Sequence, residues 1–166
     1  MLEKTGIPTS EEVEQKVPDK KRLEQGPVAI VECFKEIPCD PCYHSCPVGA
    51  FAEFDDINDI PVLDFDKCTG CGNCIASCPG LAIFVVDYTY GSKNEGLLRL
   101  PFEFLPLPEE GQKVTALNRA GEEVCRGRVE KVQNSESLDK TPIIWLLLPA
   151  EYLMEVRHIK VGDNNG

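Results

Sequence analysis

Eight of the nine cysteines in this chain fall into two spaced runs, Cys33-x5-Cys39-x2-Cys42-x3-Cys46-Pro47 and Cys68-x2-Cys71-x2-Cys74-x3-Cys78-Pro79. In the second run three thiols stand two residues apart, so a tightly wound loop can bring them to three irons of one iron–sulfide cube. Thr69, Gly70 and Gly72 are small enough to let backbone N–H groups turn toward the cluster sulfurs, which raises the reduction potential. The fourth thiol follows a helical turn and points away from the other three. Pro47 and Pro79 fix the chain direction just after that cysteine and remove a donor that would need a partner.

Cys39, Cys42, Cys46 and Pro47 recur 32 residues later as Cys71, Cys74, Cys78 and Pro79, so two similar halves are expected. The offset breaks at one place. Glu36 occupies the position equivalent to Cys68, and Cys33 stands three residues earlier. The preferred expectation is that the loop from Phe34 to Pro38 bulges and Cys33 remains a ligand, because a cube with three thiolates tends to lose its fourth iron. The alternative is a three-ligand site holding a [3Fe–4S] cluster, with Cys33 a small residue buried at a strand end. A zinc site on Cys39, Cys42, Cys71 and Cys74 would leave Cys33, Cys46, Cys68 and Cys78 unused.

The second run resembles that of the bacterial dicluster ferredoxins, in which the last cysteine of each run ligates the other cluster. The resemblance covers residues 28–90 and implies two [4Fe–4S] clusters. Cys33, Cys39, Cys42 and Cys78 would hold cluster one, and Cys68, Cys71, Cys74 and Cys46 cluster two. More weakly, Glu32-Cys33-Phe34, Ile37-Pro38-Cys39, Pro41-Cys42 and Cys46-Pro47 look like the iron–sulfur subunits of multi-subunit flavin-dependent dehydrogenases of the proline, hydroxyproline or sarcosine type. That likeness implies flavoprotein partner subunits, a further [2Fe–2S] subunit, and electron relay without contact with substrate.

Other reactive residues carry less. Cys125 lies in a β-type stretch and reads as a small buried hydrophobe. His44 sits between Cys42 and Cys46, where it could tune a cluster or simply be an exposed loop residue; His158 has no companion ligands, and Trp145 belongs to an apolar strand or a partner contact. There is no G-x-G-x-x-G loop, no phosphate-binding G-x-x-x-x-G-K-[ST] and no Ser/His/Asp or Cys/His set, so the chain is expected to transfer electrons without a substrate site of its own.

The elements that must position these thiols are short. VAIV at 28–31 and PVLDF at 61–65 precede the cysteine runs, and AFAEF at 50–54 and LAIFVVDY at 81–88 follow them, which predicts strand, cluster loop, short helix and strand, twice over. The fold class expected is α+β: a ferredoxin-like pseudo-twofold β-α-β repeat around two clusters, followed by a small β-rich barrel or meander. Residues 1–27 form a polar arm in which Thr9 and Glu12 are spaced as a capping box for a helix ended by Pro18, with a second helical stretch through Lys20 to Gln25. Residues 91–166 read as the β-rich module, expected to form an interface, with strands in VTAL, EEVCRGRVEKV and IIWLLL; AEYLMEVRHI at 150–159 fits a helix or a strand.

The net charge of −11 is uneven: residues 1–27 carry −1, 28–90 carry −8 and 91–166 carry −2. Such a surface excludes nucleic acid and anionic membranes and suits docking on a basic protein patch, or serves only solubility. The polar opening MLEKTGIPTSEEVEQK has no apolar signal stretch, which predicts the reducing cytoplasm, and no apolar run approaches the roughly 20 residues of a membrane span.

Overall fold

Strands β1 (Val28–Val31) and β2 (Ile83–Asp87) pair antiparallel and are buried on both faces, which is why each reads as an unbroken apolar run. The computed structural model describes residues 2–162. Within it β1 and β2 begin a seven-stranded antiparallel sheet with β3 (Glu95–Pro101), β4 (Lys113–Asn118), β5 (Glu123–Gln133), β6 (Ile143–Pro149) and β7 (Val156–Ile159), in the order β1-β2-β3-β6-β5-β4-β7. The sheet is continuous across residue 90. Strand β3 was not expected from the sequence, although Leu98 and Leu100 alternate there with Arg99 as one buried face requires.

Side chains alternate between two cores. Val28, Ile30, Phe84, Val86, Leu98, Leu100, Ile144 and Leu146 point to one face, where Val114, Ala116, Val129, Val156 and Ile159 from the last strands join them. A single cluster drawing on every strand means that the sheet curls around it. Ala29, Val31, Ile83, Val85 and Ile143 point to the other face and meet Ile75, Phe51, Cys42 and Cys74. Each aliphatic side chain so buried contributes about 1.5 to 3 kcal/mol, so the cysteine segment is seated on the sheet by the apolar effect.

Two short helices lie in the cysteine segment. Helix α4 (Pro41–Ser45) and helix α5 (Asn73–Ser77) differ by the 32-residue offset throughout. The same offset carries Val31 onto Leu63 and Phe51 onto Ile83, and both cross-pairs, Val31 with Ile83 and Phe51 with Leu63, are antiparallel. The runs at 50–54 and 61–65, expected as strands, meet only at that one bridge. Pro61 has no N–H to donate, Val62 is 65% exposed and Glu53 is also exposed, so a longer ladder would bury nothing.

The N-terminal segment folds onto the cysteine loops. Thr9 caps the helix Ser10–Glu14 with the expected capping box, and Asp19 caps Lys20–Leu23. Arg22, only 9% exposed, donates from Nε to the Phe65 carbonyl at 2.7 Å and from Nη2 to the Pro27 and Cys68 carbonyls at 2.9 and 2.7 Å. At the other end, residues 150–159 combine both forms expected: a 3-10 turn at Ala150–Tyr152 and then β7.

Candidate metal centre

Glycine makes the second cysteine loop possible. Gly70 and Gly72 adopt φ of +65° and +86°, and a Cβ on Gly70 would lie 2.5 Å from the Pro27 Cβ and 2.6 Å from its carbonyl. The loop therefore packs directly on the start of β1. From that position Cys68 Sγ accepts the N–H of Ala29 and of Gly70, each at 3.4 Å. The fourth thiols are placed identically in the two halves: Cys46 Sγ accepts the Ala50 N–H at 3.3 Å and Cys78 Sγ the Ala82 N–H at 3.4 Å.

The thiols sense one another in two sets of four, and the sets cross between the halves. Burial above all pushes the Cys74 thiol up to about 12, with the sulfurs of Cys68, Cys71 and Cys46 adding to the rise. Burial likewise leads in pushing Cys42 up to about 11, with Cys78, Cys39 and Cys33 adding. Cys39 is raised by burial and then by Cys78, Cys33 and Asp40, and Cys33 by burial and then by Cys78. Cys46 thus lies close to the thiols of the second run, and Cys78 is felt by those of the first.

Cys46, Cys68, Cys71 and Cys74 line one pocket, together with Ala29, Phe51 and Leu63. Four thiols gathered against an apolar wall, among them a Cys74 thiol pushed up by burial and by its neighbours, fit a cationic inorganic core that reverses this penalty on binding. Among the described residues no three His, Cys, Asp or Glu side chains close tightly enough to hold a single metal ion.

Residues 61–84 match the family of 4Fe-4S binding domains, a stretch that takes in Cys68, Cys71, Cys74 and Cys78. The chain carries a 4Fe–4S binding domain. It is also similar to a selenate reductase subunit from Mesobacillus selenatarsenatis, 38% identical over 30% of this chain and 18% of that protein. The pyruvate synthase subunit PorD of Methanocaldococcus jannaschii is 41% identical over 32% of this chain and 60% of its own. The chain thus spans less than two thirds of the curated relatives it matches. No solved structure matches it.

Each remaining candidate has its own setting. Cys125, in β5, packs at the edge of the inner core, and burial, then Glu155 and Glu151, push its thiol up. His44 pairs with Asp40 at 3.0 Å on the surface, and His158 packs against Phe102 and Phe104. Trp145 in β6 lies under the Arg99 guanidinium, 3.9 Å from the ring centroid. Arg99 was not singled out from the sequence, yet its Nη1 donates to the Gly70 carbonyl at 2.9 Å and the Cys71 carbonyl at 3.5 Å. Its place follows from the β3–β6 register, in which Arg99 faces Trp145. No helix of the described residues is long and apolar enough to cross a membrane.

Proposed function

We propose that this chain is an electron-relay subunit that holds two [4Fe–4S] clusters in a ferredoxin-like pseudo-twofold repeat. Cys33, Cys39, Cys42 and Cys78 would hold one, and Cys46, Cys68, Cys71 and Cys74 the other. The observation that carries this reading is the crossing of the thiol sets, each taking three sulfurs from one half and one from the other. Such clusters supply one-electron transfer at potentials tuned by N–H···S bonds, burial and nearby charge. The chain's own contribution is to fix the sulfurs on short helices against a two-faced sheet and to aim the N–H groups of Ala29, Ala50, Gly70 and Ala82 at them.

The larger setting we infer is a multi-subunit oxidoreductase containing flavin. Two relatives bear the names of subunits of a reductase and a synthase, and the residues around Cys33 and Cys39 resemble iron–sulfur subunits of flavin-dependent dehydrogenases. The acidic cysteine segment suits a basic partner surface. Anaerobic purification with iron and sulfide counts and EPR of the dithionite-reduced protein tests the reading. About eight irons with two interacting signals, eluting with flavin-containing partners, is the expected result. About seven irons with a signal in the oxidised sample makes centre one a [3Fe–4S] site, and elution near 18.4 kDa makes the chain a free carrier.

A further inference from the structure

We propose that Arg99 sets the polarity of the pair, making the centre on Cys46, Cys68, Cys71 and Cys74 the first to accept an electron. The inference rests on the two-centre reading above and adds a direction to it. Arg99 stands in β3, outside the cysteine repeat, and reaches back to the loop between Cys68 and Cys71 through the Gly70 and Cys71 carbonyls. It is held there by Trp145, its cross-strand partner, whose Nε1–H is in turn fixed by Gln133 Oε1 at 2.6 Å.

Among the described residues no carboxylate is hydrogen-bonded to the guanidinium. Asp87 and Cys71 are the charges it senses, and Asp87 Oδ1 is already taken by the Thr89 N–H at 2.9 Å and the Thr89 hydroxyl at 2.6 Å. The buried Arg99 Nε has no hydrogen-bond partner. A purely mechanical strut gains nothing from a charge kept in this position. Its field acts on the loop beneath it, where an added electron makes the centre more negative, and a fixed cation favours that reduced state.

Beside the other centre stand one acidic and one basic residue: Asp40, next to Cys39, pairs with His44 at 3.0 Å, and Lys16 lies over the ring of Phe34, next to Cys33. When a one-electron donor reduces the protein, the donor loses one electron, the Arg99-side centre gains it, and the Cys39-side centre stays oxidised. No proton need move.

The test is a potentiometric titration with dithionite, followed by EPR, on the full iron-loaded chain and its R99Q, R99K and D87N variants. Two steps are expected, the upper one altered by C71S and the lower by C39S. R99Q should lower the upper step alone, by at least a tenfold change in the reduced-to-oxidised ratio at fixed potential, about 59 mV for one electron. R99K should restore most of that shift. D87N leaves Arg99 in place and removes the carboxylate whose charge it senses, and should raise the upper step, which keeps the test decisive if R99Q loses iron. An upper step that belongs to the Cys39 side, equal behaviour of R99Q and R99K, or no response to D87N overturns the proposal. Iron is counted first in every sample: fewer than two clusters in the unaltered chain ends the two-centre reading, whereas about eight irons with potentials indifferent to Arg99 ends this inference alone.

Discussion

Arg157 in β7 donates from Nε to Glu32 Oε1 at 2.7 Å, although Glu32 directly follows β1 and the two strands lie at opposite ends of the sheet order. Arg119 joins them, with its Nε 2.9 Å from Glu32 Oε2 and its Nη2 on Oε1. The sheet curls until its free edges face each other, and this buried ionic cluster fastens the seam one residue away from Cys33.

Replacing Glu32 with Gln leaves two guanidiniums facing each other with no counter-charge, and should cost about 3 to 5 kcal/mol in denaturant unfolding. Burial raises the Glu32 carboxyl, but Arg119 and Arg157 outweigh it and hold the group below its ordinary value. A depressed carboxylate stabilises the fold above its unfolded pKa, and this contribution fades as pH falls through the folded one. The gap between wild type and E32Q should therefore be full near neutrality and shrink below about pH 4. A gap that stays constant into acid would show that the ionic contact contributes nothing.

Gly70→Ala should destabilise the protein by about 2 to 4 kcal/mol, because the added Cβ meets Pro27 backbone and the left-handed conformation resists a side chain. Gly111→Ala, also at positive φ but with open space around it, should cost only the conformational part, about 1 kcal/mol. Equal losses in urea melts would show that the approach to Pro27 is not the constraint.

Cys33→Ala should lower the iron count of anaerobically prepared protein from about eight to about seven or four, while the signal of the Cys71 centre persists. An unchanged count would remove Cys33 from the ligands and leave Cys39, Cys42 and Cys78 as a three-thiol site.

In the metal-free folded protein, alkylation should strike exposed Cys71 early and Cys42 and Cys74 last. Thiols raised to about 11 and about 12 are almost wholly protonated at pH 8, so their rates should climb about tenfold per pH unit well beyond the range where an ordinary thiol levels off. Mass spectrometry of timed samples reads this directly, and a plateau for Cys74 near pH 9 would contradict it.

The parts of the molecule governed by local chemistry were legible in its sequence. Thr9 and Glu12 announce their capping box, and VAIV and IFVV announce strands buried on both faces. The 32-residue recurrence foretold the equality of α4 and α5. What escaped depends on partners far along the chain. Glu32 and Arg157 are 125 positions apart, and Arg22 looks like one more charge in a polar arm until the Phe65 and Cys68 carbonyls arrive beneath it. Arg99 lay in a stretch that the nearby prolines disguised as a join, and only the β3–β6 register reveals that it faces Trp145 and the cysteine loop.

If Cys46 and Cys78 cross between the halves as proposed above, the history of such a chain is constrained. A duplicated segment whose copies each completed their own thiol set could later be pared back to one copy. Here a fragment ending at residue 60 would keep Cys33, Cys39 and Cys42 without Cys78, and would carry Cys46 with nothing to complete. Exchange of sulfurs turns a tandem repeat into an indivisible unit, so recombination can append or remove segments at its flanks but cannot cut between its halves.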